Sequence, residues 1–279
     1  MKNRITLWMG MLGIFIALTA QAQNAKLRTL GITYGYQHYS RQDQLFSPLV
    51  YNGTAPLNLQ LSYNVNTANS QQNAYLSFGM YNMSAHEAYD FTEDFDGPEE
   101  RTLYPSSFQL IRLGYGYARK FGNDQKLVYS AGLRLDGQIE AMFFEMGFAS
   151  VFGYTTTFAL APSISAEYYF NRKTSLSGQL AVPVLGFVAR SPYALNDDDY
   201  IERQSSHNNL TTIVNLIGDS DLRSFGTYRQ VDVGLHLQHQ FTPNTALRLG
   251  WQARWYEITE PKRVLALQNG FNAGLQFKL

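Results

Sequence analysis

The chain has 279 residues, with 22 lysines and arginines against 22 aspartates and glutamates, and it contains no cysteine. The balanced charge leaves no basic surplus for a nucleic acid, and the missing cysteines exclude disulfide bonds, thiolate metal sites and thiol nucleophiles. Tyrosine, phenylalanine and glycine are abundant while charged residues make up only 16% of the chain. That mixture is typical of a transmembrane β-barrel, because only alternate residues of its strands must be apolar.

The amino terminus has the features of an export signal. Lys2 and Arg4 precede an apolar run over 7–18, and Ala20 and Ala22 have the spacing that signal peptidase cleaves. The apolar run is too short to span a bilayer as a helix, and no cysteine is present to carry a lipid anchor. We therefore predict a cleaved signal peptide over 1–22 and a single domain over 23–279, in which 20 basic residues face 22 acidic ones.

Period-two alternation runs through the rest of the chain. In "LGITYGYQHY", Leu30, Ile32 and Tyr34 fall on one face of a strand while Gly31 and Thr33 fall on the other. Nine further segments repeat the pattern. The ten predicted strands cover 30–39, 57–65, 73–82, 110–118, 127–138, 157–170, 176–184, 230–241, 246–256 and 265–279.

The connections between these strands alternate in length. Short polar turns are predicted at 67–72, 120–125, 171–174 and 242–244, and longer loops at 41–55, 83–106, 139–154, 189–227 and 258–263. Short turns at one end and long loops at the other are the pattern of an outer-membrane barrel. We predict an all-β fold, a transmembrane antiparallel up-and-down β-barrel of ten strands, with eight and twelve as the alternatives. A soluble β-sandwich is disfavoured because the apolar strand faces would be insoluble in water.

The chain thus resembles the bacterial outer-membrane β-barrel proteins. The resemblance rests on the export signal, the ten alternating segments and the terminal strand "FNAGLQFKL", which is similar to an outer-membrane sorting strand. Many such strands end in phenylalanine, whereas this one ends in Leu279 with Phe277 two residues earlier. The resemblance covers the whole mature chain and implies an architecture without a defined activity.

Charged residues of both signs fall on the inward strand faces. Pairing is expected because an unpaired charge in a narrow barrel is costly; Arg134 and Asp136 share a strand face, and Asp232 is expected to meet Arg248 across the 242–244 turn. We interpret the set as a braced lumen, with a narrow conducting pore as the alternative. The predicted lumen charge network comprises Arg112, Arg134, Asp136, Glu140, Glu167, Asp232, His236, Arg248 and Arg254.

The segment 140–153, "EAMFFEMGFASVFG", is apolar although it lies in a predicted extracellular loop. The helical spacing of Met142, Met146 and Ala149 suggests a short amphipathic helix. A second apolar loop piece, 210–218, is expected to pack with it as a cap, or both to contact a hydrophobic ligand or partner protein. The predicted contact residues are Met142, Phe143, Phe144, Met146, Phe148, Phe152, Ile213 and Leu216.

The sequence offers residue types for three kinds of chemical site. Omptin proteases, which are ten-stranded barrels, need an Asp–His couple at the outer rim, but Asp232 and His236 are separated by roughly 13 Å along one strand. A lipid hydrolase would use a His–Ser pair with a supporting Asn or acid; the stretch "SSHNN" (205–209), with His207 at its centre, has these residue types but lies in a polar loop. The seven acids of 86–101 offer ligands for a divalent cation, although a solvated acidic loop is the simpler interpretation.

We therefore predict an integral protein of the cell outer membrane that acts as a surface binding or accessory protein without enzymatic activity, cofactor or metal. Its expected partners are outer-membrane lipid and lipopolysaccharide, together with a hydrophobic ligand or a surface protein at the apolar loops. The first alternative is a narrow porin-like channel or uptake protein for small or hydrophobic solutes. The second is an outer-membrane lipid hydrolase or an omptin-like protease.

Overall fold

A computed structural model describes residues 27–85, 89–93, 99–103, 105–122, 126–146, 149–192, 215, 218 and 220–279. The described part of the chain is built almost entirely of β-strands, and no helix in it is long and apolar enough to cross a bilayer. The strands are β1 Leu27–Asp43, β2 Ser47–Asn66, β3 Ser70–Ser84, β4 Tyr89–Glu93, β5 Glu99–Leu103, β6 Ser106–Phe121, β7 Leu127–Met146, β8 Ala149–Tyr169, β9 Thr174–Ala181, β10 Leu185–Arg190, β11 Asp221–Ser224, β12 Tyr228–Gln240, β13 Thr245–Ile258 and β14 Val264–Lys278.

Ten of these strands close into a barrel. β1 pairs with β2 on one side and with β14 on the other, and every pairing in the ring is antiparallel. The ladder runs through β3, β6 and β7 to β8 in one direction and through β13 and β12 to β9 in the other, and the β8–β9 pairing closes it. Closure leaves no unpaired edge in the ring, which a structure in lipid requires. The prediction of a ten-stranded up-and-down barrel is confirmed.

The strand that pairs with β8 changes along the length of β8. β9 and β10 both pair with β8, and Pro183 lies between them, where it has no N–H to donate to the strand on its other side. Before Pro183, β9 pairs with β12, and after it β10 pairs with the short strand β11. β10 and β11 therefore add two short strands to the extracellular end of the ring, and β4 and β5 form a separate hairpin.

A second proline shapes the wall at β2. Pro56 cannot donate a ladder hydrogen bond, and the register of β2 shifts beside it against both neighbours, between Gly35 and Gln37 of β1 and between Thr54 and Leu57 of β2. The extra residue lies in β2, so the alternation of β1 is not interrupted. Gln37, Tyr39 and the residues beyond them therefore continue to point into the lumen.

The outer surface of the barrel carries an apolar belt. At the end with the short turns, which we take as periplasmic, an aromatic girdle follows the belt, with Tyr117, Phe121, Tyr129, Tyr168, Phe170 and Phe241 exposed. A surface of this kind is suited to lipid and not to water. The exposed belt residues include Leu30, Ile32, Tyr34, Tyr36, Leu57, Leu59, Leu61, Leu113, Leu133, Leu135, Ile164, Leu235, Leu237, Leu249, Leu267, Phe271 and Leu275.

The strands run beyond this belt on the extracellular side, and there their apolar face reverses. On β1, Tyr36 points outward and is exposed, whereas Tyr39 is fully buried inside and Ser40 lies outside. The reversal follows the surroundings, because water replaces lipid outside while packed side chains fill the lumen. The predicted loop 41–55 is wrong for this reason: β1 and β2 are joined by a turn at 44–46.

The predicted loop 139–154 and its helix are likewise wrong. β7 continues to Met146 and β8 begins at Ala149, and these two residues pair with each other. Residues 140–146 and 149–153 are the ends of two paired strands, so apolar side chains on both faces reflect two different environments. The apolar residues in "EAMFFEMGFASVFG" divide between the lumen and the outer surface.

Candidate functional site

Aromatic and aliphatic side chains fill the extracellular half of the lumen. Phe144 is 1% exposed and stacks on Phe46, with ring centroids 4.6 Å apart, and it also meets Phe108 edge-on at 5.1 Å. We call this cluster the lumen core. Its buried members are Tyr39, Ala55, Tyr81, Met83, Phe108, Leu110, Met142, Phe144, Ala159, Val188, Tyr228, Tyr256, Ile258, Val264 and Ala266.

A neutral group of ion pairs is embedded in the lumen core. Arg41 is 1% exposed and bridges Glu140 and Asp43, and Asp43 also accepts from Arg190 Nη2 at 2.8 Å. We call these four residues the upper cluster. The Tyr256 hydroxyl donates to Glu140 Oε1 at 2.7 Å and accepts from Arg41 Nη1 at 2.6 Å. Two cations and two anions balance, as buried charges require.

A second neutral group lies nearer the periplasm and crosses the lumen. Arg254 Nε donates to Asp232 Oδ1 at 2.6 Å, and Arg254 Nη2 lies 3.4 Å from Asp136 Oδ1. Arg134 pairs with both carboxylates. We call these four residues the lower cluster; it ties β7 to β12 and β13 across the barrel.

One side chain links the two clusters. Gln138 accepts from Arg254 Nη1 at 2.9 Å and donates to Glu140 Oε1 at 2.7 Å. Tyr75 completes the lower cluster by donating to Asp136. The Tyr75 ring reaches that position by lying over Gly114, its cross-strand partner, where a methyl group would collide with the ring. The lumen is thus braced by one continuous polar chain.

The prediction that Asp232 meets Arg248 is wrong. β12 and β13 are in a register that sets Asp232 opposite Arg254 and Gln238 opposite Arg248. Both strands have their side chains in the lumen at these positions, so the cross-strand neighbour takes the carboxylate. Arg248 is left six residues away along β13, nearer the periplasmic end.

The remaining predicted lumen residues stand apart from the two clusters. Arg112, His236 and Arg248 form no ion pair within the described part of the chain, and Arg112 donates only to Gln268, at 3.4 Å. Glu167 accepts from Ser175 at 2.9 Å and interacts electrostatically with Arg248. All four side chains line an open cavity on the periplasmic side of the lower cluster.

The predicted contact residues do not form one surface. Met142 and Phe144 are buried in the lumen core, whereas Phe143 and Phe152 point outward with their ring centroids 5.2 Å apart. The side chain of Met146 and the residues Phe148, Ile213 and Leu216 lie outside what the structure describes. So do His207 and the side chains of all seven acids in 86–101.

The sequence predicts Glu140 in the lumen but not the other three members of the upper cluster. Arg41, Asp43 and Arg190 fall in predicted loops because the lipid-facing pattern ends before them. A signal was present: the inward series of β1 starts at Gly31 and runs in strict alternation to Asp43. Following the polar face instead of the apolar one extends the strand correctly.

The described chain has a closed ring of strands, an apolar belt with an aromatic girdle and a lumen that contains two charge clusters. The chain has the architecture of an outer-membrane β-barrel. Among the described residues no group of three or more His, Cys, Asp or Glu side chains could hold a metal ion. Asp232, considered above for a protease couple, is held by two arginines.

Comparison with known proteins adds similarities of shape alone. No family model matches the chain, and no curated protein matches it in sequence. It is similar to the outer membrane protease OmpT from Escherichia coli, with a TM-score of 0.47 and 8% identity over 91% of this chain and 96% of that one. The translocator domain of the autotransporter NalP from Neisseria meningitidis has a TM-score of 0.47 and 8% identity, over 99% of this chain and 98% of that one. Neisserial surface protein A has a TM-score of 0.36 and 10% identity, over 90% of this chain and 97% of that one. Likenesses this distant carry no argument about activity.

Proposed function

We propose that the protein is an integral outer-membrane barrel that binds a protein partner at the cell surface and neither conducts solutes through its lumen nor catalyses a reaction. The observation that carries the proposal is the filled extracellular half of the lumen. Phe108 is 2% exposed, and Phe144 and Tyr81 are each 1% exposed, inside the ring. Close packing of this kind leaves no room for an aqueous path between the described side chains of this half, which supports binding at the outer surface over conduction.

The β7–β8 hairpin is the contact element we propose. Phe143 is the last residue of β7 with a partner on β6, and the paired strands continue past it to Met146 and Ala149. Ile139 is the last large aliphatic residue on the outer face of β7, opposite the exposed Ile111. Phe143 lies four residues beyond it, about 10 Å higher for strands that rise 3.3 Å per residue at a tilt of about 40°.

The outer face of this hairpin carries an aromatic pair above the apolar belt. Phe143 is 39% exposed and Phe152 is 36% exposed, and their rings lie side by side. Exposed aromatic rings are costly in water and are the side chains that most often anchor protein interfaces. The pair is therefore better suited to a protein partner than to solvent.

Site-specific photocrosslinking in intact cells tests the proposed surface. A photoreactive amino acid at Phe152 is expected to capture one discrete protein, and the same residue at Phe170, in the periplasmic girdle, is expected to capture none of it. Capture of lipopolysaccharide alone at Phe152 would overturn the proposal, since the hairpin would then be a membrane-surface element.

Planar-bilayer recording tests the closed lumen. The refolded mature protein is expected to show no steady conductance while an open porin in the same bilayer conducts. Steady single-channel steps would favour the alternative, a narrow channel or uptake protein. A lipid hydrolase remains a third candidate, and its test is the loss of lipase activity in His207→Ala.

A further inference from the structure

An open cavity occupies the periplasmic half of the lumen. Its volume is about 640 Å³, which is within the range of small-molecule sites. About half of its lining residues carry an amide or an aliphatic hydroxyl group, among them Gln60, Asn64, Asn73, Ser165, Gln179 and Gln252.

The charges that line this cavity are mainly positive. Arg134 and Arg254 are neutralised by the carboxylates of the lower cluster. Glu167 is the acidic side chain of the lining that lies outside that cluster. The cations of the lining outside the cluster are Arg112, Lys120, Arg172, Lys173 and Arg248. The described cavity therefore has a positive surplus.

Arg112 is the most unusual of these cations. It is 6% exposed, its long contact with Gln268 is its one hydrogen bond in the described part of the chain, and its buried Nε has no partner there. Holding a guanidinium inside a barrel without a paired carboxylate costs free energy. Asp232 attracts Arg112 electrostatically but is already paired with Arg134 and Arg254, so an anion bound beside Arg112 would offset this cost.

A second polar group in the cavity is also unsatisfied. His236 is 8% exposed and its Nδ1 has no hydrogen-bond partner among the described residues. Gly250 makes room for the ring, since a methyl group there would lie 2.5 Å from Nδ1. Arg248 lies within electrostatic range of this imidazole.

We propose that this cavity binds a small organic anion that enters from the periplasm, with a phosphate or carboxylate group and several hydroxyl groups. The anionic group of the ligand pairs with Arg112 at the inner end of the cavity, which is the end next to the lower cluster. The amides and hydroxyls of the wall bind the ligand's hydroxyl groups. This site is independent of the extracellular surface, because the lumen core separates the two.

Calorimetric titration of the refolded mature protein with glucose 6-phosphate tests the site, with glucose as the uncharged comparison. Saturable binding of the phosphate ester and none of glucose is expected. Arg112→Gln is expected to weaken binding about tenfold or more, the loss that accompanies a charged hydrogen bond. Arg119→Gln is the matched control, since Arg119 is exposed on the outside of the same strand.

Thermal unfolding separates a lost ligand contact from a lost fold. Arg112→Gln keeps an amide that can bond Gln268 and removes an unpaired charge, so the variant should unfold at the wild-type temperature or above. Absence of saturable binding, equal binding of glucose, equal affinity of Arg112→Gln and wild type, or an equal loss in Arg119→Gln would each overturn the proposal.

Discussion

At the scale of single residues, each of the two charge clusters in the lumen is electrically neutral. The upper cluster and the lower cluster each contain two arginines and two carboxylates. Removing one member of such a group leaves a buried charge unpaired, which costs far more than the pair contributes.

Asp232→Asn is therefore expected to lower the free energy of unfolding by about 3–5 kcal/mol, because Arg134 and Arg254 are left with Asp136 alone. Urea unfolding in detergent, followed by tryptophan fluorescence, measures the change. Asp221→Asn is the control: its side chain is 75% exposed, and a change within about 0.5 kcal/mol is expected. Equal losses in both variants would contradict the role of the lower cluster.

At the scale of elements, the β7–β8 hairpin shows how one strand serves two environments. Below the membrane boundary, Leu133 and Leu135 of β7 point outward into lipid, and Arg134 and Asp136 point inward. Above it the apolar residues Met142 and Phe144 point inward. The strand keeps its period of two while the polarity of its two faces changes.

Substitution of two adjacent phenylalanines tests this description. Phe144→Ala is expected to destabilise the barrel by about 3–5 kcal/mol, because it removes a buried ring from the lumen core. Phe143→Ala, on the exposed face, is expected to cost less than about 1 kcal/mol. Urea unfolding of the two variants compares them, and similar losses would indicate a loop in place of a strand.

At the scale of the whole molecule, the two halves of the described lumen differ. The lumen core and the upper cluster fill the extracellular part, and the polar cavity lies on the periplasmic side of the lower cluster. We propose that solutes reach the interior from the periplasmic end. This asymmetry defines the two surfaces at which we propose binding.

Cysteine accessibility measures the asymmetry, and the native chain has no cysteine to interfere. In nanodiscs, Gln179→Cys on the cavity wall is expected to react rapidly with a membrane-impermeant maleimide. Ala266→Cys, at a position 1% exposed in the lumen core, is expected to react orders of magnitude more slowly. Comparable rates at both positions would show that water passes the lumen core.

The sequence by itself determined the ten strands, the lipid-facing side of each and the inward position of the charges. Those features depend on alternation within one strand and on the unlike solvents of its two faces. It also contained the register of β12 against β13, since the short turn at 242–244 sets Asp232 opposite Arg254.

Only the tertiary structure decided which side chains meet across the lumen. Arg41 and Glu140 are 99 residues apart in the chain, and Arg134 and Asp232 are 98 apart. Their contacts depend on the stagger that accumulates around the closed ring, which no local pattern records. The same stagger determines where the lumen core ends and the cavity with the unpaired Arg112 begins.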